Sequence, residues 1–262
     1  PAYGGPEYET LAALGSLCMI DDLNAVALGN QICNQYTMDT ISAGMVIAWA
    51  MECFEAGILT KSDTDGIELT FGNAKAMLQM LEKMGKREGF GDILAEGSVR
   101  AAQKIGRGSE KFVLAVKGQE LPMHDARGKY AVGLGYATCE RGADHMVVGH
   151  DTMLNTESYS FVNTMPPMGV YSPTSATEYS PLKVRTFAYL SYWWSFFNEA
   201  GICQFVPVPR SAMSISDVLG ALKAYTGWNT SLWEVMKAGE RGITMARVFN
   251  LREGFSASDD KF

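Results

Sequence analysis

Apolar side chains recur at intervals of three and four residues along most of this sequence, and that spacing restricts the fold more than any other feature. The clearest run extends from Ile41 through Met45 to Cys53. An α-helix turns once in about 3.6 residues, so this spacing gathers apolar groups on one face. Asp39 is a favourable N-cap before the run, and Gly57 is a favourable stop after it. Signals of the same kinds predict helices over residues 22–35, 40–55, 74–87, 92–105, 183–199, 216–225 and 231–249.

The stretch over residues 117–149 has a different composition, because it contains six glycines and two of the three histidines, and the third, His150, follows directly. Such loop-rich segments often carry functional residues. Residues 151–181 contain four prolines and are predicted to form a long irregular excursion, whereas residues 112–116 alternate weakly and predict a short strand. The predicted fold class is therefore mostly α. It consists of two helical subdomains, residues 1–115 and 116–262, with a loop-rich central segment and few short strands.

Composition argues against several classes of function. The chain has 22 Lys and Arg against 29 Asp and Glu, a net charge of −7, whereas a nucleic-acid surface needs a basic stripe. No apolar run approaches the roughly 18 residues that a membrane span requires. The five cysteines form no CxxC pair, which disfavours a disulfide framework and a self-contained zinc site. We therefore expect no nucleic-acid partner, no membrane and a reducing, cytoplasmic location.

Three local features could carry chemistry, and each also has a structural explanation. Glu7 and Glu9 flank a tyrosine, but acidic groups also suit a helix N-terminus. His145 follows an Arg-Gly-Ala-Asp segment, but a lone histidine is more often a structural hydrogen-bonding group than a catalyst. The hexapeptides Asn34–Asp39 and Asn198–Cys203 both lie where a predicted helix ends. Their similarity is weak evidence by itself.

Several motifs nevertheless occur in an order and spacing that resemble a known family. They are Gly5-Pro6-Glu7-Tyr8-Glu9-Thr10, residues 33–42, residues 86–92, residues 94–98, Glu120-Leu121-Pro122, Asp125-Ala126-Arg127-Gly128, residues 133–138, Arg141-Gly142 and Ala200-Gly201-Ile202-Cys203. Together they resemble the tungsten-dependent aldehyde:ferredoxin oxidoreductases over almost the whole chain. The resemblance implies the end of the family's first helical domain and most of its second. Since the chain does not begin with Met, we expect it to be part of a longer protein with a β-rich N-terminal domain upstream.

The resemblance implies two cofactors in the complete enzyme. One is tungsten, or molybdenum as the second choice, held by two pterins, and the other is a four-iron four-sulfur (4Fe-4S) cluster. Cys203 matches the fourth cysteine ligand of the cluster, and the other three are expected in a CxxCxxxC motif upstream. The two hexapeptides match the family's pterin-binding motifs through Asn34, Met38, Asp39, Asn198, Gly201, Ile202 and Cys203.

Both pterin motifs depart from the family pattern. Asn34 and Asn198 stand where the family has Asp, and Thr37 stands in place of a glycine. A carboxylate accepts two N–H bonds from a pterin edge, whereas an amide has one acceptor oxygen. We expect a cost of about 1–3 kcal/mol at each site where a partner stays unsatisfied. The helical chain by itself is expected to lack both cofactors and activity.

The resemblance also implies a reaction, the oxidation of a small aldehyde to a carboxylic acid with ferredoxin as the electron acceptor. Glu9 and His145 match the family's acidic and imidazole groups near the metal. A carboxylate can accept a proton from the attacking water or hydrate, and an imidazole can hydrogen-bond the aldehyde oxygen. Glu9 is the expected base and His145 the expected polarising group, although the two roles could be exchanged.

Alternatives stay open for the substrate and for the assembly. The same scaffold could reduce an aromatic acyl thioester. The aromatic end of the predicted helix over residues 183–199 is either core or the wall of a pocket for an apolar or aryl substrate. Family dimers can share a metal through a Glu-x-x-His segment, where this chain has Leu28-Gly29-Asn30-Gln31. A homodimer that forms through other contacts therefore stays open as an alternative.

Overall fold

A computed structural model describes residues 2–262, and its contacts divide the chain into two compact units. The first ends at Met123, and the second covers His124–Lys261. The mostly α fold class is confirmed. The domain boundary near residue 115 stays a prediction, because compact units and family domains are different divisions of a chain. Among the described residues, no helix combines the length and apolar character needed to cross a membrane.

The first unit is built from helices and one hairpin. A three-residue helix, α1, continues directly into a π-helical segment over Leu11–Ser16. Strands β1 and β2 pair antiparallel, with Ala115 opposite Glu120, and a 3₁₀ turn over Ser109–Phe112 precedes them. The bounds are α1 Tyr8–Thr10, α2 Leu23–Gln35, α3 Thr40–Glu55, α4 Ala74–Lys86, α5 Phe90–Leu94, α6 Ser98–Ile105, β1 Ala115–Val116 and β2 Gln119–Glu120.

Helix α3 forms the centre of the first unit's core. Every residue of α3 from Ala43 to Met51 is buried, as expected for a helix that is apolar on all sides. Gly44 permits a close approach here, because a Cβ atom at this position would lie 2.7 Å from the backbone of Ala13. The predicted cap is confirmed, since Asp39 accepts a hydrogen bond from the Ser42 N–H at 2.7 Å.

The single helix predicted over residues 92–105 is wrong, because the structure has two helices there. Gly97 has φ +88°, which ends helical geometry between α5 and α6. The Glu120 carboxylate then accepts from both the N–H and the hydroxyl of Ser98, at 2.7 and 2.8 Å. This cap comes from the β-hairpin, 22 residues away, so no local sequence pattern predicts it.

The second unit is also helical, with its core around its two longest helices, Pro181–Ala200 (α9) and Leu232–Arg252 (α11). Short 3₁₀ turns cover Asp151–Met153, Pro166–Met168 and Ala257–Asp259. The predicted helices over 183–199, 216–225 and 231–249 are confirmed within a few residues at their ends. The bounds are α7 Tyr130–Thr138, α8 Tyr159–Thr164, α9 Pro181–Ala200, α10 Ile215–Thr226 and α11 Leu232–Arg252.

Two regular elements lie in segments that the sequence predicts to be irregular. Helix α7 occupies residues 130–138, in the glycine-rich stretch, and α8 interrupts the proline-containing excursion. The N-terminus of α7 is stabilised by the Asp151 carboxylate, which accepts from the N–H groups of Ala131 and Val132 at 3.0 and 3.3 Å. Asp151 in turn bonds Lys183 of α9 at 2.5 Å. These long-range polar contacts explain a helix that the local sequence does not favour.

The aromatic residues of α9 are mostly core. Trp193, Trp194, Phe196 and Phe197 are all buried in the second unit's hydrophobic cluster. Trp193 packs edge-to-face on Phe197, with 4.5 Å between ring centroids. The core explanation therefore holds for most of this segment.

Candidate active site

The first hexapeptide ends α2 in a left-handed turn. The Met38 N–H donates to the Cys33 carbonyl at 2.8 Å, and the Thr37 N–H donates to the Asn34 carbonyl at 3.3 Å. Thr37 has φ +56°, which is unusual for a β-branched residue. These bonds close the helix end in a Schellman-type arrangement.

The second hexapeptide ends α9 in the same way. The Ile202 N–H donates to the Phe197 carbonyl at 2.9 Å, and the Gly201 N–H donates to the Asn198 carbonyl at 3.4 Å. Gly201 has φ +68°, a conformation that glycine adopts without a steric penalty. The similarity between the two hexapeptides is therefore a shared backbone conformation, and Thr37 adopts it in spite of its side chain.

Asp39 and Met38 line a cavity of about 430 Å³ within the first unit. Asp39 is exposed, and its carboxylate keeps acceptor capacity after capping α3. Asn34 does not line this cavity, and its side-chain nitrogen bonds the Asn30 carbonyl at 2.8 Å. An exposed carboxylate on a cavity wall fits the recognition of a pterin N–H edge. Within the first hexapeptide, Asp39 fits this role better than Asn34.

Cys203 differs from the other four cysteines. It is exposed, whereas the others are buried. Burial raises the pKa of the Cys18 and Cys33 thiols to about 12 and that of Cys53 and Cys139 to about 11. Iron–sulfur clusters are held by thiolates, so Cys203 fits a cluster ligand and the buried thiols do not.

Asn198 is exposed at the end of α9, and its side-chain oxygen accepts from the Gln204 amide at 3.0 Å. Its side-chain nitrogen offers two N–H donors, and its oxygen keeps one further acceptor position. Ile202 is half-buried. Gly201 is exposed, and a Cβ atom added to it would meet no other atom within 4 Å. The backbone of this turn is thus open to a large ligand.

Glu9 belongs to the first unit and is only 5% exposed. Its Oε2 accepts a hydrogen bond from the Met123 N–H at 2.8 Å, which orients the carboxylate. The helix N-terminus that the sequence offers as a structural explanation for this acidic group is present, because α1 begins at Tyr8. This structural role does not compete with a proton-accepting role, since a carboxylate has several acceptor positions.

His145 belongs to the second unit and is half-buried beside two further histidines, which sequence reasoning missed as site residues. The ring centroids of His124 and His150 lie 5.4 and 6.1 Å from that of His145, and 4.1 Å from each other. His150 contacts the His145 carbonyl through Nε2 at 3.0 Å. The three residues form a histidine cluster, and the only sequence signal for it was that residues 124–150 hold all three histidines.

The histidine cluster lies in positively charged surroundings. The Lys129 ammonium contacts His124 Nδ1 at 2.7 Å, and Arg210 contacts His150 Nε2 at 3.5 Å. Burial lowers the pKa of His124 to about 3, and the Lys129 ammonium beside it acts in the same direction. Burial, together with Lys129 and Arg210, lowers the pKa of His150 to about 4. Both rings are therefore neutral at pH 7.

Comparison with known proteins identifies the family. The sequence profile of the aldehyde ferredoxin oxidoreductase family, domains 2 and 3, matches residues 1–262. The chain belongs to this family. Curated relatives include the tungsten-containing aldehyde ferredoxin oxidoreductases of Pyrococcus abyssi, 37% identical over 95% of this chain, and of Thermococcus kodakarensis, 34% identical over 98%. The match covers 39% and 40% of those relatives, so the chain spans about two fifths of their length.

Two other matches carry different names. The WOR-like subunit of an aliphatic sulfonate oxidoreductase from Pyrococcus furiosus is 34% identical over 53% of the chain and 23% of that relative. The active site complex BamBC of benzoyl coenzyme A reductase, solved in complex with 1,5-dienoyl-CoA, superposes with a TM-score of 0.76 at 22% identity. That alignment covers 96% of this family member and 42% of the solved chain, and it shows a shared fold.

Proposed function

We propose that this chain is the helical, cofactor-binding part of an enzyme that oxidises small aldehydes to carboxylic acids with ferredoxin as the electron acceptor. The observation that carries the proposal is the shared conformation of the two hexapeptides. One leads into the exposed Asp39 carboxylate, and the other ends on the exposed Cys203 thiol. Family membership over residues 1–262 supports the same function.

The residues that would hold the cofactors follow from their donor chemistry. Met38 and Asp39 would contact one pterin, and Asn198, Gly201 and Ile202 the other, with Asn34 in a lesser role. Cys203 would provide one thiolate to a 4Fe-4S cluster. When bound, the tungsten or molybdenum bis-pterin would supply the two-electron oxidation, and the cluster would supply one-electron transfer to ferredoxin.

Glu9 and His145 are the proposed catalytic residues. Burial and the Met123 N–H hold the Glu9 carboxylate in place, so that Oε1 or Oε2 can accept a proton from the water or hydrate that attacks the aldehyde. The imidazole of His145 can donate a hydrogen bond to the aldehyde oxygen, which favours negative charge there. His150 supports this role, because it holds the His145 main chain.

The remaining partners are part of the proposal. A β-rich N-terminal domain would supply three further cysteines and the base of the cofactor site. Five unpaired cysteines suit a reducing compartment, the cytoplasm. Ferredoxin is the proposed electron acceptor, and a small aldehyde is the proposed substrate. If the enzyme is oligomeric, the proposed assembly is a homodimer that forms through contacts other than a shared metal.

The experiment uses the protein as its gene encodes it and measures aldehyde-dependent reduction of a viologen dye. Glu9→Gln is expected to lower turnover at least a hundredfold, since general-base catalysis contributes about 10²–10⁴-fold. Tungsten and iron content should be unchanged. Glu7→Gln is the matched control, because Glu7 is exposed and two residues away, and its turnover should stay within twofold of the parent.

Three outcomes would contradict the proposal. Unchanged turnover in Glu9→Gln would remove Glu9 from the mechanism. Reduction of an aromatic acyl thioester, without any aldehyde oxidation, would favour the alternative reaction on the same scaffold. Absence of metal and of iron–sulfur absorbance in the protein as encoded would favour a helical module without activity.

A further inference from the structure

The ring of His124, at the start of the second unit, is held in place by two aromatic neighbours. The Tyr136 hydroxyl donates a hydrogen bond to the His124 carbonyl at 2.9 Å, and Tyr136 is only 1% exposed. The rings of His124 and His150 meet edge-to-face, with 4.1 Å between their centroids. His124 itself is half-buried. Its imidazole therefore has a defined position and still reaches the surface of the unit, as a group that contacts a ligand must.

Lys129 determines which nitrogen of the His124 ring carries the hydrogen. The Lys129 ammonium lies 2.7 Å from His124 Nδ1. An ammonium group has three N–H donors and no acceptor, so Nδ1 must accept this hydrogen bond. The ring is neutral at pH 7, because burial lowers the pKa of His124 to about 3. In a neutral imidazole with a bare Nδ1, the hydrogen is on Nε2. His124 is thus an Nε2–H donor whose tautomer is set by a neighbouring charge.

His124 and His145 are close enough to contact the same ligand atom. One ring nitrogen of His124 and one of His145 lie within 4.8 Å of each other, and both side chains are half-buried. Because an N–H···O hydrogen bond spans about 2.7–3.2 Å between heavy atoms, two donors up to about 5.4 Å apart can bond one oxygen between them. A carbonyl oxygen has two lone pairs and can accept both bonds.

We propose that His124 is a further catalytic residue, whose Nε2–H donates a hydrogen bond to the same substrate carbonyl oxygen as His145. Two fixed donors that meet one oxygen stabilise the negative charge that develops there in the transition state. The identity of the substrate as an aldehyde rests on the proposed function. The contact itself requires only a carbonyl oxygen, which an acyl thioester also has.

The first test compares three substitutions of His124 in the protein as its gene encodes it, with aldehyde-dependent reduction of a viologen dye as the assay. His124→Phe keeps a ring and removes the donor. Its kcat should fall about 10²–10³-fold, the usual loss for one such donor. KM should change less than about threefold, because the bond is strongest in the transition state. Tungsten and iron content should stay at the parent level.

Glutamine and asparagine at position 124 distinguish catalysis from a structural role. A glutamine amide can place an N–H near the position of Nε2, whereas an asparagine amide reaches only the position of Nδ1. His124→Gln should therefore recover at least tenfold of the kcat lost in His124→Phe, and His124→Asn should recover none. A purely structural contact with Lys129 would give the reverse order. This order decides the question even where the phenylalanine variant loses metal.

A second test needs neither cofactor nor turnover. The chain contains three histidines, and a long-range ¹H–¹⁵N spectrum of the histidine-labelled chain reports the tautomer of each ring. The His124 signals are assigned by their absence in His124→Gln. At pH 7 they should show a bare Nδ1 and a protonated Nε2. Lys129→Met should give a mixture of the two tautomers. Lys61→Met is the matched control, because Lys61 pairs with Glu68 at the surface, and it should leave the His124 signals unchanged.

Four outcomes would overturn this proposal. They are a kcat of His124→Phe within twofold of the parent, an asparagine variant as active as the glutamine variant, a hydrogen on Nδ1 of the parent ring, and a protein that turns over neither an aldehyde nor an acyl thioester. Failure of the proposed function is distinguishable. If the protein reduces an acyl thioester and oxidises no aldehyde, the aldehyde reaction is excluded, and the same three variants assayed with the thioester decide the role of His124.

Discussion

At the scale of single residues, the second unit contains a buried ion pair. Lys183 and Asp151 form an ion pair whose side chains are 2% and 0% exposed. Asp151 also bonds two N–H groups of α7. One carboxylate therefore connects α7 to α9 and directly follows His150 of the histidine cluster.

Removing the cation from this pair should destabilise the protein strongly. Lys183→Met leaves the Asp151 carboxylate buried, and we expect the free energy of unfolding to fall by about 3–5 kcal/mol. Lys61→Met is the control, because Lys61 pairs with Glu68 at the surface, where such pairs contribute about 0–1 kcal/mol. Urea unfolding at pH 7 measures both changes, and equal values would refute the structural role of the buried pair.

The histidine cluster makes stability depend on pH. The pKa of His150 is lowered to about 4 in the folded chain, below the value of about 6.5 for an unfolded histidine. The unfolded state therefore binds the proton more readily, and stability present above pH 6.5 is lost as the pH falls toward 4. The expected loss is about 1.4 kcal/mol per pH unit for each such histidine.

A His150→Gln variant isolates the contribution of this histidine, because glutamine can still donate to the His145 carbonyl. Urea unfolding at intervals between pH 7 and pH 5 should give a smaller slope of stability against pH than in the parent chain. An unchanged slope would show that His150 is not the titrating group. His124, whose pKa is lowered further, should account for part of the slope that is left.

At the scale of elements, glycine determines how closely α9 and α11 approach. A Cβ atom on Gly239 would lie 1.9 Å from the Tyr192 carbonyl oxygen, and one on Gly242 would lie 2.0 Å from the Glu199 carboxylate. The two helices therefore pack backbone to backbone at this crossing.

Alanine at these glycines separates packing from helix propensity. Gly239→Ala should lower the free energy of unfolding by about 1–3 kcal/mol or more, because the contacted atoms are backbone and cannot turn aside. Gly220→Ala in α10 is the control, because no atom lies within 4 Å of its Cβ position. There the gain in helix propensity should raise stability by about 0.5–1 kcal/mol. Destabilisation of similar size in both variants would contradict the close packing.

At the scale of the whole molecule, the cysteines distinguish the interior from the surface. Four thiols are buried, with pKa values raised to about 11 or 12, and only Cys203 is exposed. Thiolates are the reactive form. Iodoacetamide at pH 8 should therefore modify one cysteine in the folded chain and all five in urea, as counted by mass spectrometry. Cys203→Ser should leave none reactive in the folded chain, and early reaction at a second cysteine would contradict the fold.

Local signals in the sequence determined the long helices and their ends. Asp39 and Asn73 cap α3 and α4 through atoms three residues away, and Gly201 closes α9 within one turn. These interactions are local, so the order of residue types is enough to predict them. The same locality made the two hexapeptides recognisable as equivalent turns.

Only the tertiary structure decided the features that depend on which elements meet. Helix α7 and the break before α6 depend on Asp151 and Glu120, carboxylates about twenty residues distant in the chain. The histidine cluster and the neutral state of its rings also arise from burial by remote segments. Burial sets the energy of a polar group, and burial is a property of the assembled core rather than of neighbouring residues in the sequence.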